Sequence, residues 1–420
     1  MKISKLTINK HTILFVVLLY CYTFRNILVL FIPFFGYVDE ILAIAGLSCF
    51  FIEVFSVHKL LKRNILIAAG IVLFVTAGIL GNIIFMYQPL LSIAIPDLLL
   101  SIKFFLWIYF AIYFCKKSGI NYNILFSTLS EHAKILLCFL FFLTVIDGIF
   151  HIFNEYSDVK MGIRAVALYE GATSLASTAA SLMCLCLIGE GKLKWTKEII
   201  FGLFVILATL RFKSLAAVAV FIVFFYFGKA LRKKIKWWYF IVLGLLAVFV
   251  ARKQILAVVQ PGIARSMLFI VGFRLLVDYF PLGTGFGTYA SYFSKVRYSP
   301  IYKMYHLSNV YGLSVDRSSF INDTFWPMVL GQTGFIGTVG YFMVLLWIYL
   351  RIQNCISKNI AVYYGGMYIL LYLLLTSFGE SAFLHWNSML FAMLFGIIIS
   401  YSYNGKTEKG YETGKKEKCS

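Results

Sequence analysis

Arginine and lysine side chains beside apolar segments are the residues of this chain best suited to chemistry. Arg211 and Lys213 stand in a short turn between two apolar segments, and Arg265 and Arg274 lie nine residues apart in a third. Arg164 lies in another connection. Because a planar guanidinium group binds phosphate oxygens through two hydrogen bonds, these positions predict a site for a diphosphate group. The plain alternative is that the side chains extend to lipid headgroups.

Asp323 and His306 are the groups best suited to activate a hydroxyl group at such a site. Asp323 stands where a long apolar segment begins, and His306 lies in the polar stretch before it. A positioned carboxylate or imidazole accepts the proton of an attacking hydroxyl group, so both are candidate bases. Asp323 at the start of a helix is also a good N-cap residue, and the sequence leaves both roles open. Because no histidine spacing of the HxxxH kind occurs, we predict no metal and no cofactor.

Two further charges, Asp97 and Lys103, lie inside one apolar segment. Charges inside a membrane span are costly, and they mark either function or pairing. Their spacing of six residues places them more than half a helical turn apart, which makes a direct pair poor. We therefore expect each to have a partner on another helix, and holding the bundle together explains them as well as catalysis does.

The composition identifies the setting in which these residues act. Of 420 residues, 61% are hydrophobic and only 13% are charged, and the mean hydropathy is +0.86. A soluble domain is about 45–50% apolar and about 25% charged. The composition therefore excludes large soluble enzymes, disordered scaffolds and secreted disulfide modules. What remains is a membrane protein that crosses the bilayer many times.

The net charge of +20 would suggest a nucleic-acid partner in a soluble protein. Here much of the excess stands in short connections between apolar segments, and every second connection is basic. The positive-inside rule then predicts that both termini are cytoplasmic. We predict the lipid bilayer as a partner and no nucleic acid.

Apolar segments long enough to cross the bilayer recur along the chain, since a helix needs about 20 apolar residues to do so. The sequence predicts an all-α, polytopic integral membrane protein with about twelve transmembrane helices. Residues 1–404 form a single membrane domain, whose large outer loop, 252–320, lies between the ninth and tenth spans, and 405–420 form a polar cytoplasmic tail. The predicted spans are 13–34, 38–57, 64–87, 90–114, 133–152, 169–189, 198–211, 214–228, 237–251, 324–350, 361–378 and 385–403.

Two glycine-rich stretches flank the end of the outer loop. The stretch Pro281-Leu-Gly-Thr-Gly-Phe-Gly-Thr is expected to fold the loop back on the membrane. Its likeness to a dinucleotide-binding motif is superficial, because no βαβ unit surrounds it. Gly331, Gly334 and Gly337 recur every three residues, which predicts the close approach of a neighbouring helix.

Three stretches together resemble one bacterial family, the O-antigen and capsule polymerases of the Wzy type, in the same broad superfamily as the O-antigen ligases. They are the stretch from Pro281, the turn Thr209-Leu-Arg-Phe-Lys-Ser, and Asp323-Thr-Phe-Trp-Pro with the following Gly-Gln-Thr-Gly-Phe-Ile-Gly. A set of about twelve spans with one large late loop is similar to the family as well.

The resemblance implies an enzyme of the bacterial inner membrane that acts at the outer leaflet on sugars linked to undecaprenyl diphosphate. Such a polymerase transfers the growing glycan from its lipid diphosphate to the non-reducing end of the next lipid-linked repeat, without a metal. The resemblance implies that Arg211, Arg265 and Arg274 contact the diphosphate. It also implies a chain-length regulator and a flippase as partners.

Two alternatives stay open at this point. A ligase would transfer the glycan to the lipid A core, but the ligases usually have His-Asn where this chain reads Asn322-Asp323. A transporter or flippase of lipid-linked sugars would also need charges inside the membrane, but the sequence shows no internal repeat. The departure from the ligase pattern favours a polymerase with Asp323 as the polar group at that place.

Overall fold

The computed structural model describes residues 10–56, 65–152, 166–231 and 262–416, with the single positions 234 and 236. Arg164 and the predicted ninth span, 237–251, lie outside the described residues. Within these residues the chain is helical and forms no strand, which confirms the all-α prediction. The helices are α1 (Lys10–Thr23), α2 (Arg25–Phe31), α3 (Val38–Ser56), α4 (Ile65–Phe85), α5 (Ile95–Lys117), α6 (Tyr122–Phe150), α7 (Ala172–Gly189), α8 (Lys197–Ala208), α9 (Phe212–Leu231), α10 (Ala264–Asp278), α11 (Tyr292–Val296), α12 (Pro300–Met304), α13 (Trp326–Gln353), α14 (Ile360–Thr376) and α15 (Ser388–Lys416).

Seven helical stretches of the described residues are long and apolar enough to cross a membrane, or eight if the bent pair α1 and α2 is one span. Helix α14 and the part Ser388–Asn404 of α15 are apolar but shorter. The chain is therefore a multi-pass membrane protein, whereas the larger span count and the orientation stay predictions. The seven stretches are Pro33–Glu53, Leu66–Phe85, Leu90–Lys117, Tyr122–Phe150, Ala172–Gly189, Lys213–Ala230 and Trp326–Gln353.

Some predicted spans differ from the helices that form. Helices α1 and α2 are bent by 80° relative to each other, so the predicted span 13–34 is not one continuous helix. The predicted span 198–211 is the 12-residue helix α8. At about 1.5 Å per residue it extends about 18 Å, less than the hydrocarbon layer of about 30 Å. Helix α15 begins at Ser388 and continues past residue 404 into the predicted polar tail.

Three connections of the chain meet at one end of the bundle. Lys213, at the start of α9, pairs with Glu380 in the connection between α14 and α15. Ser381 of that connection donates a hydrogen bond to the carbonyl of Asn322, which lies just before α13. We call this end of the bundle the loop end, and it comprises the turn 209–211, the segment 262–325 and the connection 377–387.

The opposite end of the bundle is basic. Helix α5 carries Lys116 and Lys117 in its last turn, α9 carries Lys229, and α13 carries Arg351. Basic connections of this kind mark the cytoplasmic side of membrane proteins. This distribution favours an orientation with the loop end outside, which stays a prediction.

The glycine-rich segment 281–291 inserts between helices at the loop end, and its residues 283–291 are buried. Asn82 of α4 binds both backbone groups of Phe286: its amide nitrogen donates to the Phe286 carbonyl at 2.9 Å, and its oxygen accepts from the Phe286 N–H at 2.7 Å. The N–H groups of Thr284 and Gly285 donate at 2.9 Å to carbonyls in the first turns of α13. The expectation that this stretch folds the loop back on the membrane domain is therefore confirmed.

Gly334 interrupts α13 where the glycine-rich segment crosses it. Its φ of 57° is left-handed, and a Cβ atom there would lie 2.4 Å from the Gly283 nitrogen, so only glycine fits. The predicted approach of a neighbouring helix is confirmed at Gly331, which faces Leu275 of α10 as well as Tyr289 of the glycine-rich segment. It is wrong at Gly334, whose neighbours all belong to the glycine-rich segment. Another close approach of two helices lies further along α13, where Gly340 faces Gly70 of α4.

Candidate functional site at the loop end

The turn between α8 and α9 fixes the backbone that carries Arg211 and Lys213. The Thr209 hydroxyl lies 2.7 Å from the carbonyl of Ile206 and 2.8 Å from the hydroxyl of Ser214. The Arg211 carbonyl accepts from the Ser214 N–H at 3.0 Å. Helix α9 therefore begins directly at the turn, with Lys213 in its first turn.

Lys213 forms an ion pair with Glu380 of the connection 377–387. The two side chains are only 20% and 13% exposed, so protein encloses most of the pair. A charge in such surroundings needs a counter-charge, because the loss of hydration is costly for either group alone. Glu380 therefore explains how an ammonium group is tolerated at this place.

Arg265, in the first turn of α10, binds Asp323 through two of its nitrogens. Nε donates to Oδ2 of Asp323 at 2.8 Å, and a terminal nitrogen donates to the same oxygen. Asp323 does not cap α13, because that helix begins at Trp326 with Phe325 at the N-cap and no side-chain cap. The pair is 44% and 31% exposed, which leaves both groups accessible.

Both ion pairs belong to one group of charges. The residues beside the two carboxylates are joined, because the Ser381 hydroxyl donates to the Asn322 carbonyl. The charges of Arg211 and Arg265 also act on Lys213. The group therefore contains three cations and two carboxylates. Its net positive charge favours the binding of an anion. We call this set the charged cluster: Arg211, Lys213, Arg265, Asp323 and Glu380.

A small cavity, with room for little more than one water molecule, adjoins the charged cluster at Glu380. His385 lines this cavity, and the surrounding protein lowers the pKa of its imidazole by desolvation. The charges of Glu380 and Glu170 act in the opposite direction and raise the pKa of His385. The cavity therefore holds an accessible imidazole in surroundings that favour its neutral form. Its polar lining residues are Thr173, Ser177, Thr376, Glu380, His385 and Asn387.

Two other predicted site residues make no described contact with the charged cluster. Arg274 is exposed and makes no ion pair with another described residue. Helix α10 is unbroken between Arg265 and Arg274, so their nine-residue spacing places them on opposite sides of it. His306 is exposed, has a left-handed φ of 56°, and makes no side-chain hydrogen bond within the described part of the chain. The structure thus brings Arg211, Lys213, Arg265 and Asp323 together. Arg274 and His306 lie outside the charged cluster.

Lys103 has its partner on another helix, as predicted. Its Nζ lies 2.5 Å from Oδ2 of Asp39 in the first turn of α3, and these side chains are 5% and 2% exposed. A terminal nitrogen of Arg25 lies 3.9 Å from the other carboxylate oxygen. Arg25 also stands over the ring of Trp386, 4.9 Å from its centre. This buried network joins α2, α3 and α5 to the connection 377–387, which is a structural role.

Asp97 binds the glycine-rich segment, so the expectation of a partner on another helix is incomplete for it. Its Oδ2 accepts from the N–H of Gly287 at 2.8 Å, and the side chain is fully buried. The side chains of Ser291, in the same segment, and of Gln332, in α13, also interact with the Asp97 carboxylate through hydrogen bonds. Asp97 therefore helps to fix the glycine-rich segment against α5 and α13.

Glu380 and His385 are the site residues that sequence reasoning missed. Glu380 stands in the short connection between two apolar segments, at the same end of the bundle as the unexplained cations. The available signal was the cation itself, because an ammonium group beside a membrane span requires a carboxylate from elsewhere. His385 has no local sequence pattern that marks it as a site residue, because it stands alone between two apolar segments. Within the described residues no group of three or more His, Cys, Asp or Glu side chains is arranged to hold a metal ion.

Comparisons with protein-family models and with curated proteins find no match to this chain. The resemblance to the Wzy-type polymerases therefore stays a prediction that rests on three stretches of sequence. Two of those stretches, around Arg211 and Asp323, contribute to the charged cluster. The site offers cations for an anion, carboxylates that order those cations, and an accessible imidazole beside them.

Proposed function

We propose that this chain is a polysaccharide polymerase, which transfers a glycan from undecaprenyl diphosphate to the non-reducing end of another lipid-linked repeat unit. The observation that carries the proposal is the meeting of Arg211, Lys213 and Arg265 with two carboxylates at the loop end. These cations come from two segments of the chain, the turn between α8 and α9 and the first turn of α10. A reaction that expels a diphosphate needs fixed positive charge where the negative charge develops.

Arg265 is the cation best arranged to exchange its partner for a phosphate group. It already presents two nitrogens to one oxygen of Asp323, and the same fork binds phosphate oxygens. Because the pair is 44% and 31% exposed, an incoming diphosphate reaches it without unfolding of the surroundings. Before the substrate binds, Asp323 keeps the guanidinium group in position.

In the transfer step all three cations stabilise the departing diphosphate. The acceptor hydroxyl oxygen attacks the anomeric carbon of the donor sugar, and the bond from that carbon to the diphosphate oxygen breaks. The bonding electron pair goes to the diphosphate, whose charge Arg211, Lys213 and Arg265 stabilise. The hydroxyl proton passes to a base. Asp323 was predicted for that step, but its Oδ2 holds Arg265, which favours a positioning role for it.

The length of lipid-linked glycans in a bacterium that depends on this chain tests the proposal. Removing the chain is expected to leave single repeat units on the lipid carrier at the outer leaflet of the inner membrane. The chain itself is expected to restore long polymers, and Arg211→Ala is not. Long polymers that accumulate on the lipid carrier would indicate a ligase instead. Single repeats that stay at the inner leaflet would indicate a flippase.

A further inference from the structure

The side of α10 that points away from the bundle is apolar except for one arginine. Between residues 270 and 277 the exposed positions follow the spacing of a single helix face, and they are Ile270, Phe273, Arg274 and Val277. Phe273 is 55% exposed and Val277 is 72% exposed. We call these four residues the outer face of α10. A continuous apolar stripe of this kind needs a partner that shields it from water.

Contacts with α13 place the outer face of α10 beside a membrane-spanning helix. Gly272 packs against Pro327, where an added Cβ atom would lie 3.2 Å from the Pro327 Cα. Just after α10, the ring of Phe280 lies 5.7 Å from the ring of Phe335, measured between their centres. The contacts therefore advance in the same direction along both segments. Phe280 and Phe335 are both exposed, so the apolar surface of α10 continues into that of α13.

The length of α13 indicates how deep α10 lies in the bilayer. At about 1.5 Å per residue, a hydrocarbon layer of about 30 Å takes up about 20 residues of a helix. Arg351 is the basic residue in the last turn of α13, and counting back from it by that length places the other edge of the layer near Gly331. Pro327 then lies among the headgroups and Phe335 lies in the hydrocarbon. Since α10 packs between these two levels, it lies at the boundary of headgroups and hydrocarbon.

Arg274 is the one charged group of this outer face, and it forms no ion pair with a described residue. The acidic residue one turn further along is Asp278, whose Oδ2 accepts a hydrogen bond from the Tyr305 hydroxyl at 2.6 Å. A guanidinium group at the hydrocarbon boundary is costly unless its side chain extends to the headgroups. Phosphate oxygens at that level match the planar fork of arginine.

We infer that α10 lies in the surface of the bilayer with its outer face in lipid, and that Arg274 binds the phosphate group of a bilayer phospholipid. Helices at membrane surfaces combine apolar and basic side chains in this way. This site is separate from the charged cluster, because Arg265 lies on the opposite side of α10. The inference does not depend on the proposed function, since it requires only that the chain is embedded in a membrane.

Photo-crosslinking of the full-length chain in phospholipid vesicles tests the placement of α10. The photoreactive analogue p-benzoylphenylalanine replaces Phe273 on the outer face, and in a second sample it replaces Phe320. Phe320 is the matched control, because it is also an exposed phenylalanine of the segment 262–325 but follows the polar residues 316–319. We expect strong crosslinking to lipid from position 273 and little from position 320.

The choice between two lipids tests the role of Arg274. The vesicles contain equal amounts of phosphatidylglycerol, which is anionic, and phosphatidylcholine, whose own cation competes for the phosphate. Crosslinks from position 273 are expected to favour phosphatidylglycerol by about fivefold, the gain from one arginine near a membrane surface. Arg274→Gln is expected to remove this preference and Arg274→Lys to keep most of it. The matched control is Arg317→Gln, at an exposed arginine outside α10, and it is expected to keep the preference unchanged.

Several results would overturn the inference. Equal crosslinking to lipid from positions 273 and 320 would refute the placement of α10. A preference that survives Arg274→Gln, or that falls as much in Arg317→Gln, would refute the phosphate site. Undecaprenyl diphosphate added at a small mole fraction is expected to leave the preference unchanged, and if it abolishes the crosslinks to phosphatidylglycerol, Arg274 belongs to a substrate site instead. None of these results depends on polymer formation, so they are distinct from a failure of the proposed function.

Discussion

Replacing Arg265 by lysine separates the geometry of this cation from its charge. Arg265 uses two nitrogens on one oxygen of Asp323, whereas lysine offers a single ammonium group. We therefore expect Arg265→Lys to keep the attraction to a diphosphate and to lose the two-point contact. Arg274→Lys is the matched control, because Arg274 lies on the same helix, is exposed, and forms no ion pair with a described residue.

The structure sets the size of both effects. The loss of one fixed donor to a developing negative charge costs about 3 kcal/mol in the transition state, or roughly a hundredfold in rate. The Arg265–Asp323 pair is 44% and 31% exposed, so solvent screening limits its share in stability to below about 1 kcal/mol. Activity is therefore expected to fall while the amount of folded protein in the membrane stays close to that of the parent.

The assay is the distribution of glycan lengths in cells that lack the parent chain, with the abundance of each variant measured in the same membranes. Arg265→Lys is expected to leave mostly single repeats, and Arg274→Lys is expected to restore long polymers. Equal activity of the two variants would refute the reasoning, because the charged cluster would then have no advantage over an exposed arginine. Loss of Arg265→Lys from the membrane would refute the estimate of its small structural role.

Ion pairing, orientation and metal use each provide one further test. Lys103→Met is expected to lower the free energy of unfolding by about 3 kcal/mol, because Asp39 then stays buried without its ammonium partner. Adding Asp39→Asn to this variant is expected to restore part of the lost stability. Thermal unfolding in detergent measures both effects, and equal stability of Lys103→Met and the parent would contradict the prediction. A cysteine at exposed Ser319 is expected to react with an impermeant maleimide in intact cells, and one at Ser357 only after permeabilisation; the reverse pattern would invert the orientation. Polymerisation by the purified chain is expected to continue in EDTA, and a loss that magnesium restores would exclude a metal-independent reaction.

The cations of the charged cluster were predictable, but their partners were not. Arg211 and Lys213 stand out in the sequence because a short turn between apolar segments, on the predicted outer side, is an unusual place for two cations. Glu380 lies 167 residues from Lys213, and Asp323 lies 58 residues from Arg265. Such pairings depend on how the helices pack, and no local pattern reports them.

The helices were predictable where apolar length decides them, and less so where contacts between segments decide them. Helix α13 follows from its long apolar run, but its break at Gly334 depends on the approach of Gly283 from the glycine-rich segment. The bend before Arg25 is accompanied by contacts of that side chain with Gly36, Asp39 and Trp386. A hydropathy pattern contains none of these contacts, so it predicted continuous spans at both places.

Polymer formation by the purified chain in liposomes tests the proposed function most directly. The liposomes would contain undecaprenyl diphosphate that carries a single repeat unit, and the products would be separated by length. We expect a ladder of longer lipid-linked glycans, with one free undecaprenyl diphosphate released for each new glycosidic bond. If the single repeats stay intact while Arg265→Lys, the parent and protein-free liposomes give the same result, the chain is not a polymerase.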